Sequence, residues 1–366
     1  MTGKLVLGNL TRRPLRTAAT AVAVAVEVSL ILLVVGLTQG MVREVAKRIE
    51  GVGADILVQP PSSSVLLAFS GAPMPASLGQ RLAALEGVRA VAPVLVQPNT
   101  SHGLDLIYGI DPQSFDAVSD GFVFHEGHGL RQPDDVLVDD WYARARHLHA
   151  GQTLRLLDHD FHIAGVVEHG KGARIFVRLD RLQELTGARD RVSLFFVRCQ
   201  RPELTPTVME KIRSLLPRHQ IRPVRQYLSL MTATSLPGLD VFVRSMIGLG
   251  VAVGFLVIFL AMYTAIVERR REIAILKSLG ASRAYIAGTF LVEALSIAAA
   301  GLGVGLGLSY ALRGLILYLF PTLSIEIAPP WVLRAAALAV LAAALGSAYP
   351  AWLASRKDPL EALACE

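Results

Sequence analysis

Thirteen consecutive residues carry the most chemistry in this chain: Glu268-Arg-Arg-Arg-Glu-Ile-Ala-Ile-Leu-Lys-Ser-Leu-Gly280. Glu268, Arg269, Arg270, Arg271, Glu272 and Lys277 supply the charge. Ile273, Leu276 and Leu279 recur at helical spacing, with Ala274 and Ile275 alongside. That pattern predicts a short amphipathic helix, ended by Gly280 and followed by a second helix capped by Ser282. A solvated charge run needs no ordered apolar face, so the segment is expected to dock a partner. Two further acids, Glu27 and Glu293, stand inside apolar runs, where a carboxyl must be paired, protonated or wet. Each has two readings: a hydrogen bond between helices, or a part in transport.

All nine histidines fall between His102 and His219, the densest group being Asp158-His159-Asp160-Phe-His162. On a strand, 158, 160 and 162 share one face and 159 takes the other, so they do not converge on one ion. Solvated or core-edge histidines are one reading, and contact with a metal or haem is the other; no metal ligand is assigned. The sequence has no Gly-x-x-x-x-Gly-Lys-Ser/Thr loop, Gly-x-Ser-x-Gly elbow, His-Glu-x-x-His helix or paired-cysteine zinc site. No catalytic residue is expected, and no ATP hydrolysis by the phosphate-loop route.

The elements that must position these groups follow from composition. Of 366 residues 52% are hydrophobic and 18% charged, with mean hydropathy +0.47. The excess is concentrated in four stretches, each long enough to cross a hydrocarbon core about 30 Å thick, which takes about 20 helical residues. The expected order is a basic N-terminus at 1–17, a first span at 18–40, an external domain with stalk helices at 41–244 and a second span at 245–267. A cytoplasmic loop and helix at 268–284, a third span at 285–312, a short external loop at 313–330, a fourth span at 331–353 and a tail at 354–366 follow. Lys4, Arg12, Arg13, Arg16, the 268–284 loop, Arg356 and Lys357 put both termini inside by the positive-inside rule. The first run, too long for a typical signal peptide, is read as a retained anchor. Residues 41–243 hold 22 basic and 22 acidic side chains, so the formal excess of +6 lies around the spans and nucleic acid is a poor explanation of it.

The first span is expected to continue outward as a stalk, since Met41, Val42, Val45, Ala46 and Ile49 keep helical spacing. Pro237-Gly238 should interrupt the returning leg. Between them, strands are predicted at 54–59, 88–96, 104–110, 136–138, 153–157, 161–167, 174–177 and 192–199. Helices are predicted at 77–85, 141–149, 179–186 and 206–216, the last capped by Thr205. This is an α+β domain with room for two lobes. Residues 60–75 enclose Val65, Leu66, Leu67 and Phe69, either a loop folded on its own domain or a contact for an amphiphile or partner. Cys199 is expected to be a buried apolar residue. Gly301, Gly303, Gly305 and Gly307 in the third span predict close helix packing.

At Glu268 to Ser282 the chain resembles the FtsX/MacB-like ABC transporter permeases, the type VII or mechanotransmission family. Phe290-Leu-Val-Glu-Ala with the glycine-rich span and Tyr349-Pro-Ala-Trp-Leu-Ala-Ser-Arg-Lys-Asp-Pro-Leu-Glu-Ala-Leu are similar too. Gly53-Ala-Asp-Ile-Leu-Val, Leu106-Ile-Tyr-Gly-Ile-Asp-Pro and Gly151-Gln-Thr-Leu-Arg-Leu resemble the MacB periplasmic core domain. The resemblance implies four transmembrane helices plus an extracytoplasmic α+β domain on stalks, in a bacterial cytoplasmic membrane. It implies an export permease that is not itself an enzyme, forms a homodimer and works with two copies of a separate cytoplasmic ABC ATPase. That ATPase binds the ATP and Mg, while this chain holds no cofactor. Glu268 to Gly280 would meet the ATPase. A periplasmic adaptor or other external partner fits the same scheme, and the membrane lipid surrounds it. The cargo implied is amphiphilic: a drug, peptide, haem or lipid-linked molecule. The alternative is an FtsX-like regulator that passes the ATPase state to an external partner such as a cell-wall hydrolase.

Overall fold

The computed structural model describes residues 14–61, 63, 73–99, 105–226, 237–320 and 322–356. They form two compact units, one of residues 40–237 with 320–324 and one of the remaining helical segments. The chain enters through helix α1 (Pro14–Gly51), unbroken across the expected span and stalk. Its stalk part buries Val42, Ala46 and Ile49, the spacing that the sequence predicts.

The domain unit is built on one ten-stranded sheet. In chain order come β1 (Ile56–Gln59), β2 (Met74–Pro75), α2 (Leu78–Ala83), β3 (Val88–Asn99), β4 (Asp105–Ile110), α3 (Pro112–Ser119), β5 (Phe124–Gly127) and β6 (Asp135–Asp139). Then follow α4 (Asp140–Arg146), β7 (Thr153–Leu156), β8 (His159–Val167), β9 (Ile175–Arg178), α5 (Leu179–Thr186), β10 (Arg191–Val192), β11 (Leu194–Cys199), α6 (Thr205–Leu215) and β12 (Gln220–Pro223). The order across the sheet is β12-β1-β11-β3-β4-β9-β6-β8-β5, with β7 also on β8 and with β2 and β10 paired apart. Pairing is antiparallel except at β4–β9 and β6–β8.

Two apolar cores sit on this sheet. One gathers Ile56, Val58, Leu82, Phe195, Val208 and Ile212 under α2 and α6; the other gathers Val136, Val138, Tyr142, Phe161, Ile175 and Leu182 under α4 and α5. Both cores share the one continuous sheet. The structure adds β2, β5, β12 and α3 to the expected elements. Helix α3 is started by Asp111, whose carboxylate accepts from the Ser114 N–H at 3.0 Å, with Pro112 in its first turn. Thr205 does not cap α6: a short 3-10 turn (Pro202–Leu204) precedes it, and the Thr205 hydroxyl donates to the Pro202 carbonyl. The predicted 141–149 helix stops at Arg146, because His147 turns left-handed at φ 54°. The apolar centre of the 60–75 loop, with Leu66 and Phe69, lies outside the described residues, as do His102, Leu104 and Cys365.

The helical unit continues with α7 (Pro237–Glu268), α8 (Arg270–Ser278), α9 (Arg283–Leu319) and α10 (Pro329–Arg356). Pro237 opens α7, where a missing N–H costs nothing. With α1, these make four helices long and apolar enough to cross a membrane. In α9 the buried positions include Ile286, Phe290, Ala294, Ile297, Gly301 and Gly305, and α10 presents Ala335, Ala339, Ala343, Gly346 and Ala354. Both are stripes of helical period. The shared core also takes Val24, Val28, Ile31 and Leu32 of α1 with Ile258 and Met262 of α7.

Candidate functional site: the short helix between the second and third spans

Helix α8 follows α7 after a one-residue break at Arg269. Its end is a Schellman closure: the Ala281 N–H donates to the Leu276 carbonyl at 3.0 Å and the Gly280 N–H to Lys277 at 2.9 Å, with Gly280 at φ +94°. The Ser282 hydroxyl then accepts from the Tyr285 N–H at 3.1 Å, capping α9. Both signals were visible in the sequence. The apolar face is divided differently from the simple helical pattern. Ile273 is buried with Ile266, Ile286, Phe290, Ala351 and Ala354, and Ala274 is buried too, whereas Ile275, Leu276 and Leu279 are exposed, Leu279 by 79%. Arg270, Arg271 and Glu272 stand in the open as well.

Two ion pairs fasten this segment to neighbouring helices. Arg269 Nη1 lies 3.2 Å from Glu293 Oε2 of α9, with side chains only 12% and 5% exposed. Arg16 Nη1 of α1 lies 2.6 Å from Glu268 Oε2, and the same guanidinium donates to the Ala261 carbonyl of α7. The buried Arg269–Glu293 pair is costly to break from one side, because the remaining charge has little water to turn to. The two contacts thus tie the start of this segment to α9 and to the N-terminal turn of α1. The sequence pattern marks Glu293 and Arg269 separately but not their partnership, and marks Arg16 only as a charge flanking the first span.

Glu27 is 4% exposed, and neither carboxylate oxygen has a hydrogen-bond partner among the described residues. Its carboxyl rests directly on Gly254 of α7, and Gly250 lies against its Cγ. The four alternating glycines of α9, at 301, 303, 305 and 307, separate into two pairs. A methyl on Gly301 would meet Val24 Cβ at 2.7 Å and the Ala21 carbonyl at 2.8 Å, and one on Gly305 the Ala25 carbonyl at 2.8 Å; Gly303 and Gly307 have nothing within 4 Å. Gly346 of α10 makes a matching close approach to the Phe255 carbonyl of α7.

Within the domain unit, a buried polar group escaped sequence reading. Asp139 accepts from the Tyr142 N–H at 2.6 Å as the cap of α4, and burial pushes its carboxyl up to about 6 against that hydrogen bond and the attraction of Arg174 and Arg48. Arg174 donates to the Thr322 carbonyl at 2.6 Å. The stalk end is secured by the Gly172 N–H on the Arg48 carbonyl at 2.8 Å. An aspartate directly before a helix was the available signal. Cys199 is buried as expected, its thiol pushed up by burial.

The histidines scatter. His159 meets Asp134 at 2.9 Å, His169 meets Asp140 at 2.9 Å and stacks on Trp141, and His219 is lowered by burial. Asp158 stands in a left-handed turn before β8 rather than on the strand. Among the described residues no three His, Cys, Asp or Glu side chains gather as a metal site.

Residues 17–215 match the MacB-like periplasmic core domain family, and residues 244–359 match the FtsX-like permease C-terminal family. The macrolide export ATP-binding/permease protein MacB of Hahella chejuensis is 31% identical over 128 residues, 35% of this chain and 20% of that protein. MacB of Hyphomonas neptunium is 24% identical over an alignment of 401 positions, covering 99% of this chain and 60% of that protein. The ABC transporter permease YknZ of Bacillus subtilis is 34% identical over 127 residues, 34% of this chain and 31% of that protein. These matches thus span between a fifth and three-fifths of the relatives' own length. Among solved structures, the periplasmic region of MacB from Actinobacillus actinomycetemcomitans aligns at 16% identity over 49% of this chain and 92% of that one, with a TM-score of 0.39.

Proposed function

The chain belongs to the FtsX-like permeases that carry a MacB-like periplasmic core domain, and on that premise we propose that it is the membrane subunit of an ABC exporter. In this reading it sits in a bacterial cytoplasmic membrane with both termini inside and the domain unit outside. Two copies pair, and two copies of a separate ATPase bind ATP and Mg on the cytoplasmic side. The cargo is an amphiphile taken up outside the membrane.

The observation that carries the proposal is the uncovered apolar face of α8, Ile275, Leu276 and Leu279, on a helix held by Arg269–Glu293 and Arg16–Glu268. An exposed apolar patch rimmed by charge is suited to a partner. Closure of the ATPase pair would load that face, and the two ion pairs would pass the displacement to α1 and α9. From α1 it would continue along the unbroken helix into the stalk. ATP shifts such a two-state device only by favouring one arrangement over the other.

The test is purification from native membranes under mild conditions, with ATP hydrolysis followed as Leu276 and Leu279 are changed to aspartate and as Arg270 and Glu272 are replaced. Loss of an associated ATPase from the aspartate variants, with the chain still inserted at normal amounts, supports the reading. An unchanged complex would overturn it.

A further inference from the structure

Edge strand β5, helix α4 and the turn after α4 wall an open cleft of about 650 Å³ in the domain unit, within the size range of small-molecule sites. Its apolar surface comes from Ala143, Leu148 and Val166, and its polar surface from side chains of three elements. The two carboxylates there are already engaged. Glu126 accepts from the Ala150 N–H and meets His149 Nδ1, each at 3.2 Å, and these contacts hold it below the usual carboxylate range. Asp140 takes His169 Nδ1 at 2.9 Å, the His169 N–H at 3.0 Å and the Arg144 guanidinium; burial opposes ionisation, but the His169 contacts prevail and keep it low. What remains to face a ligand is donor capacity. Neither ring nitrogen of His147 has a hydrogen-bond partner among the described residues, and Arg144 is 69% exposed.

We infer that this cleft binds a small acidic amphiphile, its anionic group held by His125, His147 and Arg144 and its apolar body lying on Ala143, Leu148 and Val166. The inference stands independently of the export reading, since it concerns equilibrium binding to the domain unit. The facing charges are His125 and Glu126 from β5, Asp140 and Arg144 from α4, and His147 and His149 from the turn, with His169 behind Asp140 and none among the cleft-lining residues of β8. With neutral imidazoles the rim has one guanidinium against two carboxylates; protonation reverses its sign. A protonated imidazole attracts an anion and a neutral one does not, so an anion should bind more tightly as pH falls.

The probe is naphthalene-2-sulfonate, with uncharged naphthalene-2-sulfonamide as its isostere, titrated by equilibrium dialysis against the full chain in nanodiscs of zwitterionic lipid. The sulfonate should bind at least about tenfold more tightly near pH 5.5 than near pH 7.5, and the sulfonamide should show no such dependence. Bound sulfonate should also protect His147 from diethyl pyrocarbonate in a mass-spectrometric footprint. The variant His147→Asn with Arg144→Gln keeps a residue that tolerates the left-handed turn and should lose about tenfold or more in affinity. Unchanged footprints elsewhere in the domain would show that it folds. Equal binding of sulfonate and sulfonamide, protection that does not include His147, or full affinity in the folded double variant would overturn the inference.

Discussion

Replacing Gly301 and Gly305 together by alanine perturbs the contact of α9 with α1 without touching any charge. The added methyl at 301 lands 2.7 Å from Val24 Cβ and 2.8 Å from the Ala21 carbonyl, and that at 305 lands 2.8 Å from the Ala25 carbonyl and 3.0 Å from Val28 Cβ. These neighbours are backbone and branch-point atoms, which cannot swing aside, so the helices must part by several tenths of an ångström. Overpacking of this kind costs about 1–3 kcal/mol per site. The matched variant, Gly303→Ala with Gly307→Ala, adds the same two methyls to the same helix where nothing lies within 4 Å. The helix-propensity gain from losing glycine, about 1 kcal/mol each, is common to both and cancels in the comparison. The inward pair should therefore be less stable than the outward pair by about 2–6 kcal/mol. Reversible unfolding of the full chain in mixed micelles, or steric trapping in bicelles, measures the difference. Equal stabilities, or a greater loss in the outward pair, would refute the packing of α9 on α1 described here.

A buried carboxyl gives a pH test. The folded-state value of Asp139 is raised from 3.8 to about 6, so the folded chain holds its proton more tightly than the unfolded chain, and stability falls as pH rises across that window. The difference is worth about 3 kcal/mol at most. Asp139→Asn keeps an acceptor for the Tyr142 N–H and should match the parent near pH 4 while exceeding it near pH 7.5, read by hydrogen exchange of the α4 amides; an unchanged pH profile would count against the burial argument. The Arg269–Glu293 pair gives a second test. Glu293→Gln leaves a guanidinium 12% exposed without its carboxylate, at a cost of about 3–5 kcal/mol, and adding Arg269→Gln should recover part of it. Purely additive losses in a double-mutant cycle would argue that the two do not act together. At the stalk, a methyl on Gly172 combines φ +83° with an approach of 2.7 Å to Tyr108, so Gly172→Ala should loosen residues 44–51 in hydrogen exchange, whereas Gly187→Ala, with open space around it, should leave them protected.

Much of this was readable from periodicity and punctuation. The four apolar runs, the continuous stalk, the Gly280 stop and the Ser282 cap are local signals, and local structure follows them. Strand β5 was not readable, because Phe124-His-Glu-Gly is exposed at all four positions and shows no alternation; it is held by its ladder to β8. Helix α3 is short, and its Asp111-Pro112 start serves equally for a turn. Within the site, spacing alone put Ile273, Leu276 and Leu279 on one face. Which part of that face is covered depends on where Ile286, Phe290 and Ala354 stand, and no local pattern encodes that. The Arg16–Glu268 pair joins residues 252 apart in sequence, and a basic residue before a span looks the same whether it meets lipid headgroups or a carboxylate. The glycines illustrate the same limit: four at alternate positions, of which two meet α1 and two do not.

In the proposed assembly the exposed side of α8 seats an ABC ATPase. A photoreactive amino acid placed at Leu279, 79% exposed, and irradiated in native membranes tests it most directly, with the same probe at Leu260, exposed on α7, as the control. The account predicts a covalent adduct with an ABC-type ATPase from Leu279, diminished by Leu276→Asp and absent from Leu260. Adducts with lipid alone from Leu279, or an ATPase adduct equally strong from Leu260, would contradict it.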